Sequence, residues 1–319
     1  MRAVRYHEHG GRDVLQVDEG VERPEPGRNE VLVRVEAAAV NPVDTYFRDG
    51  SYQPAELPMI PGSDFAGEVA AVGDGVEEFA EGDRVFSTGL GNDRQGTCAE
   101  YAAAPTDRVA PLPDGIGVRE AAGVALVGVT AWRALVDHAG LEPAERCLVH
   151  GGSGGVGHVA VQIAAAAGAQ VTTTAAPEYH SGLEALGADD VLDYGRDDLA
   201  EAVTAVGEPN VILDHRLDDY LQFDADVAAK NARVVGIGGN SPESGFSNTP
   251  AARSKELRVH LMSMFNTPNF RAVLDRLATL MAEGDLTAEI AGSYDLAEVG
   301  EAHRAVVEDS VCGKLVVEP

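Results

Sequence analysis

"HGGSGGVGH", residues 150–158, follows the apolar run Cys147-Leu148-Val149 and precedes Val159, Ile163 and Ala166 at helical spacing. The glycines therefore stand at a strand-to-helix turn, the context in which such a stretch holds a phosphate. Gly152, Gly154 and Gly157 make G-x-G-x-x-G: a tight turn, close backbone approach to a pyrophosphate, and close packing of helix on strand. Ser153, Gly155 and Val156 fill the spacing, and the new helix offers free N–H groups and the positive end of its dipole to the anion. A plain glycine turn is the alternative, but the context on both sides favours dinucleotide binding.

Around this turn, residues 146–240 alternate apolar runs ("CLVHGG", "QVTTTAA", "DVLDY", "NVILD", "ARVVGIGG") with helical segments. That alternation predicts a parallel sheet with crossover helices. Upstream, "VLVRVEAAAV" (31–40), "DFAGEVAAVG" (64–73) and "DRVFSTG" (83–89) read as strands, and "REAAGVALVGVTAWRALVDHAGL" (119–141) as two helices joined near Gly128. Downstream, "NFRAVLDRLATLMAEGDL" (269–286) reads as one amphipathic helix and "GKLVVEP" as a last strand. The expected order is a β-rich domain over 1–122, a nucleotide domain over 123–267, and a tail over 268–319 that completes the first domain.

A chain of 319 residues with 45% hydrophobic content suits two domains with real cores. No stretch approaches the roughly 18 to 20 apolar residues of a membrane span. "MRAVRYHEHGG" lacks the apolar region of a signal peptide. Cys98, Cys147 and Cys312 form no C-x-x-C pair, which argues against a disulfide framework and against a cysteine-built zinc site. A reduced cytoplasmic enzyme is the expectation. The net charge is −28, with 52 acids against 24 bases. Such a surface repels nucleic acid and anionic membranes. The acids are spread between periodic apolar segments, so a folded protein of a high-salt cytoplasm is expected, its self-repulsion screened by salt.

"NPVDTYFRDG" (41–50), "PGSDFAGEVAAVG" (61–73), "VGVTAWRAL" (127–135) and "HGGSGGVG" together resemble the medium-chain dehydrogenase/reductase superfamily, in its zinc-free quinone oxidoreductase branch, the zeta-crystallin-like proteins. The likeness runs from "AVRYHEHGG" to "GKLVVEP". It implies an α/β fold: a Rossmann doubly wound parallel sheet plus a GroES-like β-rich catalytic domain. Zinc-dependent relatives carry Gly-His-Glu where this chain has Gly62-Ser63-Asp64, and a cysteine near Asp44. Ser63 and Asp44 do not make a thiolate/imidazole set, so metal-independent chemistry is expected. Without a metal, the acceptor is polarised by hydrogen bonds, which suits a quinone or an enone better than an unactivated ketone. Tyr46 and Asn41 are the candidate donors to a developing oxyanion, against core packing for Tyr46 and turn formation for Asn41. Asp44 fits a role in fixing that loop. The resemblance places Val43, Thr130, Ile237 and Phe265 at the cofactor; a helical threonine bonding its own backbone is the alternative for Thr130.

NAD enzymes place an acid about 20 residues past the glycine motif, to bind the ribose 2′-hydroxyl. Here that place falls on Ala175-Ala176, so NADP(H) is the expected cofactor. Tyr179 stands where relatives have a lysine, Tyr194 matches a family tyrosine, and Thr174 is a further donor; Glu178 is the alternative ribose ligand. After "NVILD" the family's Val-Gly-Gly turn is replaced by "DHRLDDYLQF", which puts His215 and Arg216 at a strand's carboxyl end. These contact the adenosine phosphate or pair with Asp218 and Asp219. The leading function is an NADPH-dependent quinone reductase. An alkenal or enone reductase and a redox-silent nucleotide-binding protein are the alternatives. A homodimer is expected from the resemblance and from the strand-like "LRVHLMSMF" (257–265).

Overall fold

The segments flanking the glycine stretch form as a strand, Arg146–Val149, and a helix, Gly155–Ala166. In the computed structural model, which describes all residues from 1 to 319, two units separate: Met1–Val129 with Pro268–Pro319, and Thr130–Thr267. The division falls inside the helix Val118–Trp132, just past Gly128, although the helix runs on through that position.

The Thr130–Thr267 unit holds a six-stranded sheet in the spatial order Asp190–Asp193, Gln170–Ala175, Arg146–Val149, Val211–Asp214, Arg233–Gly236, Arg258–Leu261. Every pairing is parallel. The inner strands are near-continuous apolar runs, and Cys147, Leu148, Val149, Val211, Ile212, Val234 and Val235 are all buried. Strands covered on both faces need such runs. From Arg146–Val149 the chain winds outward to one edge, then returns to Val211–Asp214 and winds to the other. The carboxyl ends of those two central strands are thus the topological switch point, where open α/β sheets bind ligands. The glycine stretch leaves one of them.

The other unit is built on a seven-stranded sheet, with Glu30–Val40 at its centre. That strand pairs antiparallel with Asp64–Val72 along its length, with Tyr101–Pro105 at its first half and with Lys314–Glu318 at its end. Two register shifts coil it, and Gly67 opposite Val35 lets the backbones close up at the second, where a side chain would strike the Arg34 carbonyl. The C-terminal strand thereby lies beside the segment that leads to Asn41.

The two helices expected over 119–141 are instead one, Val118–Trp132, which runs through Gly128 and continues as a π-helical turn, Arg133–His138. Gly128 is a packing position: a Cβ there would lie 2.7 Å from Leu277 on the helix Phe270–Glu283. The strand expected over 257–265 is shorter, Arg258–Leu261, because the chain turns into a 3-10 segment at Met264–Asn266.

Candidate active site and nucleotide loop

The glycine loop is held to the strand beside it by main-chain and hydroxyl contacts. The Gly151 N–H donates to Thr174 Oγ1 (3.0 Å), and the Gly152 N–H to the Thr174 carbonyl (2.8 Å). The His150 N–H donates to the Leu213 carbonyl (3.1 Å), tying the loop to the second central strand. Side chains at Gly152 or Gly157 would run into Thr173 or the Gly151 carbonyl. Gly154 is an extended N-cap that makes no side-chain cap hydrogen bond. The first N–H groups of the helix, at Gly155, Val156 and Gly157, lack intrahelical carbonyl partners by geometry. Ser153, Gly155 and Val156 are part-exposed. A bare helix N-terminus behind a glycine cradle at the switch point fits a dinucleotide pyrophosphate.

Ala175 ends its strand buried, and Ala176 follows half-buried. Tyr194 stands just past the neighbouring strand, 51% exposed. Tyr179 is half-buried on the 3-10 turn Pro177–Tyr179, next to exposed Glu178. Thr174 is buried, its hydroxyl accepting from the loop, so it acts first as a support. Thr130 is buried in its helix; Ile237 donates its N–H to the Asp214 carbonyl (2.9 Å), and Phe265 is half-buried. Arg216 forms an ion pair with Asp219 at the surface.

In the first unit, "NPVDTYFRD" sets a helix, Pro42–Asp49, with proline at its first position and Gly50 ending it at φ 88°. The Asn41 N–H donates to Asp44 Oδ2 (2.8 Å), the backward half of a capping box. Asp44, Thr45 and Phe47 are buried by the helix, whereas Tyr46 is 37% exposed, its ring edge-on to Tyr52 at 5.6 Å. Partial burial raises the Tyr46 phenol above its ordinary value, with Tyr52 and Asp49 adding to the effect. At neutral pH it is therefore a hydrogen-bond donor. Val43 is half-buried.

Asn41 lies at the centre of a buried polar cluster. Its Nδ2 donates to Asp64 Oδ2 (2.8 Å) and to the Ala39 carbonyl (3.4 Å), and its Oδ1 accepts from Lys314 Nζ (2.5 Å). Both amide hydrogens are committed, so Asn41 positions the helix start and holds none in reserve for a substrate. Lys314 also donates to the Val40 carbonyl (2.7 Å). Burial pushes the Asp44 carboxyl up and the Lys314 ammonium down, and Asp64 is pushed up to about 6 by the same cause. Ser63 Oγ donates to the Leu90 carbonyl (2.9 Å) and lies 3.4 Å from Asp44 Oδ1. No group of three or more His, Cys, Asp or Glu side chains is arranged to hold a metal ion. Lys314 and Asp64 escape a reading of motifs; a lysine inside the apolar "KLVVE" strand was the available signal.

A second cluster lies directly under the glycine loop. His150 Nε2 is 2.8 Å from Asp224 Oδ1, both side chains fully buried, and the imidazole stacks on Tyr220 at 4.4 Å. Neither His150 nor Asp224 follows from motif spacing, because their contact joins two strands' ends through a helix.

Residues 27–114 match the alcohol dehydrogenase GroES-like domain family, and residues 186–317 the zinc-binding dehydrogenase family. The chain is 35% identical to the human quinone oxidoreductase, over 99% of this chain and 97% of that protein. It is similar to the solved Escherichia coli quinone oxidoreductase complexed with NADPH, at TM-score 0.89 and 28% identity with full coverage of both chains. A solved NAD-dependent alcohol dehydrogenase is also similar, at TM-score 0.91 and 32% identity, again with full coverage of both.

Proposed function

Because this chain belongs to the quinone oxidoreductase family of the medium-chain dehydrogenases/reductases, we propose that it is an NADPH-dependent, zinc-independent quinone reductase. The bound dinucleotide would supply a hydride, and the quinone takes it together with a proton. The observation that carries the reading is the glycine loop at the switch point, followed by Ala175-Ala176 in place of an acid. Gly152, Gly154 and Gly157 shape the cradle, and the N–H groups of Gly155, Val156 and Gly157 would hold the pyrophosphate. Tyr194, with Tyr179, is assigned to the 2′-phosphate.

On the acceptor side Tyr46 is the donor to the developing oxyanion, because its phenol is exposed and stays protonated. Asn41 and Asp44 are positioning residues: they fix the start of the Tyr46 helix, and Lys314 fixes Asn41. A quinone spreads the incoming charge over its ring and second oxygen, so one well-placed donor suffices. The reading extends to a homodimer in a salt-rich, reducing cytoplasm; it assigns no nucleic-acid partner. No helix is long and apolar enough to cross a membrane.

The test is a side-by-side assay of NADPH oxidation with a quinone and with an alkenal in concentrated salt, before and after prolonged chelation. Quinone turnover is expected to be faster and unchanged by chelation. Turnover with the alkenal alone moves the assignment to enone reduction, and activity that returns only with added zinc removes the metal-free mechanism.

A further inference from the structure

We propose that the buried pair Asp214–Asp224, joined to the glycine loop through His150, is a proton-dependent latch that positions this loop for the dinucleotide. The inference rests on the reading of that loop as a cofactor cradle. Its geometry is a continuous chain of contacts across the switch point. The His150 backbone begins the loop and donates to the Leu213 carbonyl, while its ring contacts Asp224 Oδ1 (2.8 Å). Asp224 and Asp214 act on one another electrostatically, and the Oδ2 atom of each is buried without a hydrogen-bond partner. Asp214 Oδ1 accepts from the Arg216 N–H (2.6 Å), at the turn where the second central strand ends. Packed on the same turn, the His215 ring fills the space beside Gly151: a Cβ there would lie 2.7 Å from it.

Two neighbouring buried carboxylates resist ionising together, so the pair retains a proton. Burial drives both carboxyls upward, Asp214 to about 7. The charged and titratable groups facing the pair give it little help. Burial lowers His150 and His215 to about 4, so both imidazoles are neutral, and Tyr220 is a raised, neutral phenol. Arg216 points outward to Asp219, and Tyr194 faces Tyr220 from the adjoining turn. The sign follows directly. A carboxyl whose value is raised in the latched state favours that state at low pH, and the preference is lost as pH rises through about 7. Once the proton leaves, two buried negative charges repel across the joint that aligns His150 and Gly151. The open loop binds the dinucleotide less well, in proportion to the latched fraction.

The experiment measures dissociation constants of NADPH and NADH for the whole protein, by nicotinamide fluorescence, from pH 6 to pH 9 in constant high salt. It uses the wild type and Asp224→Asn. An asparagine offers its oxygen to the His150 N–H and its amide hydrogens to Asp214, so it keeps the bridge without the proton. Wild-type affinity for both nucleotides is expected to fall about tenfold between pH 6 and pH 8 and to level off above, because the linked proton is released as pH passes about 7. Asp224→Asn should bind as tightly as wild type does at low pH, with a flat profile. Amide exchange over residues 150–158 without nucleotide should follow the same pattern, rising with pH relative to the variant only in the wild type. Parallel profiles for the two proteins, in binding and in exchange, overturn the latch. If neither nucleotide binds at any pH, the cofactor reading itself fails. Should Asp224→Asn not fold, Asp214→Asn, which keeps its oxygen toward the Arg216 N–H, carries the same comparison.

Discussion

On the proposed reading, Tyr194 and Ala176 set the choice between the two nicotinamide cofactors. A carboxylate at Ala176 would bond a ribose hydroxyl and repel a 2′-phosphate; Tyr194, half-exposed beside it in the sheet order, offers a hydroxyl instead. Loss of one hydrogen bond to a charged group costs about 1.5 to 3 kcal/mol, or roughly ten- to a hundredfold in affinity. Tyr194→Phe should therefore weaken NADPH by about that factor and leave NADH nearly unchanged, and Ala176→Asp should invert the preference. Titration of both nucleotides checks this; equal losses with Tyr194→Phe would shift the ribose contact to Glu178. Thr174 reads in the sequence as a further, lesser donor, but its burial and its bond from Gly151 make it a support of the loop. The difference comes from position: Thr174 lies inside a buried central strand, whereas Tyr194 lies in the turn past its neighbour.

Among the elements, the strand Arg258–Leu261 stands apart. It is the outer strand of its sheet, with Leu261 76% and Val259 38% exposed. An edge with apolar side chains and unpaired backbone groups is an aggregation hazard unless a partner covers it. A second copy paired antiparallel across a two-fold axis removes the edge from both subunits. Light scattering in molar salt should give a dimer mass. Leu261→Lys, which adds like charges across the axis, should shift it toward monomer without altering the helical circular dichroism. A wild-type monomer mass removes this assembly. By contrast, the helix Val118–Trp132 shows how an element can be misread: Gly128 reads as a break, yet it serves the close approach of Leu277 from far along the chain.

Over the whole molecule the net charge of −28 dominates the solution behaviour. The acid-rich stretches lie at the surface: Glu77, Glu78, Glu81 and Asp83 are exposed, as are Asp197, Asp198 and Glu201. Carboxylates crowded on one surface repel when the Debye length is about 10 Å and much less when it is about 3 Å, in molar salt. The melting temperature should rise on the order of 10 °C between dilute and molar potassium chloride, equivalent to a few kcal/mol for a chain of this size. A flat calorimetric profile would reject adaptation to salt.

Local pattern alone determined the parallel sheet, the glycine cradle, the absence of an acid at Ala175-Ala176 and the acidic surface. Each is written in neighbouring residues: period, turn chemistry and charge need no distant contact to be read. The buried clusters were decided by tertiary structure. Asn41, Asp64 and Lys314 meet because the C-terminal strand pairs with the end of Glu30–Val40. His150, Asp214 and Asp224 meet because two strands separated by a long crossover become neighbours in the sheet. Burial then shifts these groups, pushing the Asp64 and Asp214 carboxyls up and the His150 imidazole down. Desolvation belongs to a place in the fold, and no spacing along the chain encodes it.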